Sequence, residues 1–168
     1  YEKGICTSYI ALGSAYGYSE QYAEGAEAYK EALKCPTIST REKLDTYWGL
    51  SGCYIGLKDE ENAVIILNQE KEILEKLANA KPTNYPLYRD RLLDNQLRFC
   101  QLYAKIKEIP KLKSHLLIAK KHYTENVFLP YYFQYHLSWA DYYHLVQDWD
   151  ACFPELDLVL ERSKGMQP

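Results

Sequence analysis

Large apolar side chains recur every three or four residues over most of this chain, the spacing of one face of a helix. Tyr9, Leu12 and Tyr16 make the first such face, and Tyr22, Ala26, Tyr29 and Leu33 make a second. The pattern breaks at Ser19-Glu20, so a hairpin of two helices is expected. Gly13, Gly25 and Ala32 fall where the two axes must approach, because larger side chains there would force them beyond about 8–10 Å.

The same internal spacing returns three times. Tyr47, Leu50, Ser51 and Tyr54 precede Ala63 and Leu67, with Glu70 standing where a small residue is expected. Gln96, Phe99, Cys100 and Tyr103 precede Leu112, Leu116 and Ala119, and His136, Trp139, Ala140 and Tyr143 precede Cys152, Leu156 and Val159. The starts Tyr9, Tyr47, Gln96 and His136 are 38, 49 and 40 residues apart. This series resembles the tetratricopeptide repeat, W-x2-L-G-x2-Y then A-x3-F-x2-A then P in about 34 residues. The resemblance implies an all-α fold, a right-handed α-α superhelix of about four hairpins in a single domain. Their approximate bounds are 6–39, 44–81, 87–125 and 130–164. The longer intervals imply an irregular superhelix. Together with the tyrosine content they also look like the repeat regions that bacterial signalling proteins carry ahead of a kinase or DNA-binding output domain.

Local signals place the helix ends. Helices are expected over 2–18 and 20–35, the latter stopped by Pro36, and Ser39 with Glu42 reads as a capping box for a third that runs to Leu57. Asp59 caps a long fourth helix to Ala80, and the two prolines of Pro82 to Pro86 bias that stretch to an extended linker. A fifth helix then runs to Lys107. Pro110 and Pro130 suit first turns of the sixth and seventh helices. Asp148 caps the eighth, which Pro154 should kink.

Composition narrows the function. Charge is −3, with lysines and arginines interleaved among acids rather than massed, which argues against a general nucleic-acid binder. Lys111, Lys113, Lys120 and Lys121 form the one local basic cluster and read as a solvated helix face. Five cysteines without CxxC spacing look like small buried hydrophobes in a reducing compartment, the cytoplasm before the periplasm. The longest apolar run, Tyr47 to Leu57, is too short to span a bilayer, which takes about 20 residues. An opening at Tyr1 without Met fits a piece of a longer protein.

Candidate chemistry is sparse. His115 and His122 are seven apart, His136 and His144 eight apart, neither with metal-motif spacing, so no metal is expected. Gly49, Gly52 and Gly56 are spread along a helix rather than gathered into a phosphate loop. Asp90 and Asp94 suit helix-surface pairs with Arg91 or Arg98. No nucleophile elbow or cofactor motif appears, and no enzyme is expected.

The resemblance implies instead a concave groove lined by the first helix of each hairpin. Its lining would be Ile10, Ser14, Gly17 and Tyr18; then Trp48, Gly49, Gly52, Ile55 and Gly56; then Asp94, Leu97, Arg98, Gln101 and Lys105; then Gln134, Leu137, Asp141 and His144. The front lacks the charges of a carboxylate clamp, while the glycines beside Trp48 leave room for an apolar side chain of a protein or peptide partner. Trp48 packed against a neighbouring helix is the competing reading. The last helix is apolar around more than one face at Trp149, Phe153, Leu156 and Leu160, whereas a terminal repeat normally has a polar outer face. Further repeats or self-association are expected there. The rival functions are a scaffold that spaces or dimerises flanking domains, and a small-molecule sensor built on Tyr131, Tyr132, Phe133 and Tyr135.

Overall fold

Each hairpin is set by one turn, used four times. In the computed structural model the helices are α1 (Glu2–Tyr18), α2 (Tyr22–Leu33), α3 (Thr40–Leu57), α4 (Glu60–Ala80), α5 (Tyr85–Lys105), α6 (Ile109–His122), α7 (Leu129–Leu145) and α8 (Trp149–Lys164). The structure describes residues 2–80 and 85–165, with side chains from residues 4 and 88 onward in the two stretches. Most of the linker expected at Pro82 to Pro86 lies outside the described residues, and α5 is already helical at Tyr85.

At the end of each first helix one residue enters the left-handed region: Glu20, Lys58, Lys107 and Gln147, with φ of 58–61°. The amide of the next residue then bonds back to the carbonyl of a tyrosine five positions earlier. The pairs are Gln21 to Tyr16, Asp59 to Tyr54, Glu108 to Tyr103 and Asp148 to Tyr143, each 2.9 Å. This is the closure that satisfies otherwise orphaned carbonyls at a helix end. It falls on the last tyrosine of all four repeats, so the recurrence in sequence is a recurrence in backbone geometry.

The other ends follow side-chain chemistry. Ser39 caps α3, its hydroxyl accepting from the Glu42 amide while the Glu42 carboxylate accepts from the Ser39 amide. Asp59 and Asp148 accept from the amides of Asn62 and Ala151, each at 3.1 Å. Pro110 and Pro130 sit in first turns, and α8 continues through Pro154.

The chain forms two compact units, residues 1–76 and 77–168. In the first, α3 packs on both helices of the hairpin before it, α1 and α2. In the second, α7 packs likewise on α5 and α6. Burial follows the repeat frame. Gly13, Ser51, Cys100 and Ala140 are all buried, as are Gly25, Ala63, Leu112 and Cys152.

Unit 1 is organised by two tyrosines of α2. The ring of Tyr29, 3% exposed, lies between Gly13 of α1 and Gly49 of α3, and a Cβ at either glycine would overlap it. Seven residues earlier on α2, the Tyr22 ring occupies the space a Cβ would need at Gly56. The Cys53 sulfur fills the corresponding space beside Gly25. Glycine is therefore the condition for α3 to lie against α2. Gly49 and Gly56, expected to line a groove, serve as seats for tyrosine rings instead. In unit 2 the core is Leu93, Leu97, Ala119, Val127 and Tyr135, with Tyr123, Tyr131, Tyr132 and Trp139 packed on it.

Candidate binding surface

The groove candidates of unit 1 come from two adjacent helices. On α1, Ile10 and Ser14 are half-buried and Tyr18 is 86% exposed. Ser14 is committed inward: its hydroxyl reaches the Ile10 carbonyl and the Tyr29 hydroxyl, each at 3.0 Å. On α3, Ile55 is buried, Gly52 is half-buried and Trp48 is 44% exposed. Trp48 is thus a partly exposed surface residue. Ile55 faces inward because it lies one turn from Leu50-Ser51 and beside Cys53-Tyr54, all of them core.

In unit 2 the expected lining divides. Leu97 is wholly buried and belongs to the core cluster. Arg98 is 6% exposed and Asp94 4%, within an unbroken buried run from Leu92 to Cys100. A helix buried on every side has no lining face along that stretch, so Leu97, Arg98 and Asp94 leave the groove set. Gln101, Asp141 and His144 remain exposed. Loss of solvent pushes the Asp141 carboxyl above its ordinary value, and His144 nearby pulls it partly back. His144 also meets the Trp149 ring edge-on at 5.1 Å, and Trp149 meets Phe153 at 6.2 Å.

The large apolar residues of α8 are partly to largely exposed. Trp149, Phe153 and Leu160 are 46%, 59% and 55% exposed, with Leu156 half-buried between them. Leu137 and Val146 add 42% and 40% exposure on α7 and the turn. Of the aromatic set read as a sensor, Phe133 is half-buried with its ring edge-on to Tyr132 at 5.8 Å. Tyr135 is buried and stacks on Tyr123 at 4.0 Å, while Tyr131 and Tyr132 pack against the same cluster.

One polar assembly lay outside the expected sites. His136 Nδ1–H donates to Glu155 Oε2 at 2.6 Å, and Nε2 pairs with the Tyr123 hydroxyl at 3.0 Å. Burial pushes the Tyr123 phenol up to about 12. In the preceding hairpin His115 Nδ1–H donates to Gln96 Oε1 at 2.9 Å. Gln96 and His136 hold the leading-aromatic slot of their repeats, and each partner lies 19 residues on. A polar residue in a core slot is the signal that could have found them, since burial there requires a partner.

Among the described residues no cluster of three or more His, Cys, Asp or Glu could hold a metal, and no helix is long and apolar enough to cross a membrane. No protein-family model, curated protein or solved structure matches the chain.

Proposed function

We propose that the chain is a noncatalytic interaction module, a right-handed tetratricopeptide-like solenoid of four hairpins that binds a protein or peptide segment. The recurring turn and the shared burial of small positions support the repeat reading. Trp48 carries the binding reading: a large indole is left 44% exposed on a first helix, beside a half-buried Gly52 with no side chain to shield it. Aromatic side chains in such positions dominate binding energies because they combine large area with little rotamer entropy.

The test is selection of peptides from a display library on the wild-type chain, followed by titration calorimetry. Trp48→Ala should weaken a selected peptide by more than about 1 kcal/mol while leaving the fold intact. Equal affinity in a folded Trp48→Ala variant, or no enrichment at all, removes the groove reading. A second reading, a scaffold that associates through its repeats, is favoured by the exposed Trp149, Phe153 and Leu160. A module of either kind in a bacterial signalling protein would carry no chemistry of its own.

A further inference from the structure

Two of the five thiols fall on the facing stripes of the first hairpin. A Cβ built at Gly25 of α2 would stand 3.3 Å from the Gly13 carbonyl oxygen and 3.4 Å from the Gly17 nitrogen of α1, so the two backbones lie against each other there. Cys6 is seven residues before Gly13 and eleven before Gly17, which keeps it on the same side of α1. It is 1% exposed. Along α2 the stripe that starts at Gly25 continues through the buried Ala28 and Ala32 to Cys35, ten residues on. Because the two helices run antiparallel, ten residues forward from α2 and seven to eleven back along α1 reach the same level.

Side-chain contacts agree with that register. Cys6 Sγ lies 3.5 Å from Thr37 Oγ1, two residues past Cys35. Cys35 is half-buried, and its thiol donates to the Glu31 carbonyl at 3.8 Å, a weak bond that a rotamer change gives up. The small residues Gly13, Gly25 and Ala32 hold the axes near the close end of about 8–10 Å. With Cα atoms about 2.3 Å off each axis, facing residues come within reach of the ~4.4–6.8 Å Cα separation of a disulfide. The other thiols are placed elsewhere. Cys53 sits against Gly17 and Gly25, toward the closed end of the hairpin. Cys100 and Cys152 belong to unit 2, where burial pushes the Cys100 thiol up to about 12.

We propose that Cys6 and Cys35 are a redox pair, which a small disulfide such as oxidised glutathione closes into a bridge across the open end of the α1–α2 hairpin. The more accessible Cys35 thiolate attacks one glutathione sulfur, the glutathione S–S bond breaks, and one glutathione thiolate leaves. The Cys6 thiolate then attacks the Cys35 sulfur of the mixed disulfide and expels the second glutathione. Two cysteine thiols are oxidised, one glutathione disulfide is reduced to two thiols, and the two cysteine protons end on them. In a reducing compartment the pair stays open, and a shift toward oxidant closes it. The bridge restricts the unfolded chain between residues 6 and 35, so it secures the hairpin on which α3 packs. It uses neither Trp48 nor Gly52 and stands apart from the peptide groove.

Peptide mapping of the native chain after treatment with oxidised glutathione, with the remaining thiols alkylated, tests the pair. The wild type should lose two of its five thiols, retain no glutathione and yield a linked Cys6–Cys35 peptide, and dithiothreitol should restore both thiols. Cys6→Ser should hold one glutathione on Cys35, whereas Cys35→Ser should keep its remaining thiols unmodified. The oxidised wild type should melt higher than the reduced one by circular dichroism, with no such gain in either variant. The wild-type map depends on no variant folding, and Cys6→Ala is a second substitution at this buried position. Glutathione left on Cys35 of the wild type, a linked pair other than Cys6–Cys35, or a bridge that forms only in urea overturns the proposal. So does an oxidised wild type that melts no higher than the reduced one.

Discussion

Tyr29 shows how much of this protein depends on atoms that are absent. Its phenol is held between two glycines and tied to Ser14, so it cannot swing aside for an added methyl group. Gly49→Ala should cost about 1–3 kcal/mol, the range for overpacking a close-packed core, read as a lower urea midpoint. Shortening the ring in a Tyr29→Leu background should recover part of that loss. Asp141 makes a different residue-scale prediction. Its carboxyl is raised above 3.8, chiefly by a partial loss of solvent around a side chain that still stays accessible, so the folded state binds this proton somewhat more tightly than the unfolded one. The associated stability is present below the unfolded value and is lost as pH rises through the raised folded value. Asp141→Asn, which keeps an uncharged side chain, should therefore melt higher than wild type at neutral pH, with the gap closing toward acid. Of these residues Gly13 and Gly25 were legible as close-approach positions from spacing. That Gly49 and Gly56 seat rings was not, because a glycine in a helix reads the same whether it faces a groove or a tyrosine.

The element that defines the chain is the turn, and none of its four left-handed residues is glycine. An L side chain in this conformation is strained by about 1–2 kcal/mol, while glycine gives back about 0.5–1 kcal/mol in unfolded-state entropy. Lys58→Gly should thus raise the urea midpoint modestly, by up to about 1 kcal/mol, without changing the slope; a lower midpoint would mean that the lysine stem contributes packing. Helix bounds were readable to within a residue or two wherever a cap or proline marked them, as at Ser39, Asp59, Pro110 and Asp148. At α2, expected over 20–35 and found at Tyr22–Leu33, each end differs by two residues, and no side chain caps its start. Two hairpins carry a side-chain hydrogen bond between their paired helices, Gln96–His115 and His136–Glu155. Such bonds fix which residues face each other, because a shifted register would strand buried polar groups.

For the molecule as a whole, stability is expected to be local. In repeat arrays each unit draws on its neighbours rather than on one central core, and here two compact units divide the chain. Hydrogen exchange on Gly49→Ala should therefore show protection lost mainly in α1–α3, with α5–α8 changed less; a uniform loss would indicate one cooperative block. The all-helical fold, the four-fold recurrence and the apolar excess of α8 followed from the sequence alone, because each rests on spacing along one chain. Turn chemistry and helical periodicity are local, and a residue's neighbours in sequence determine them. The exposure of Trp48, the burial of Leu97 and Arg98 and the His136–Glu155 bond were decided only in three dimensions. Each depends on which helix lies across the position, and the intervening loop lengths and packing, not the local pattern, determine that.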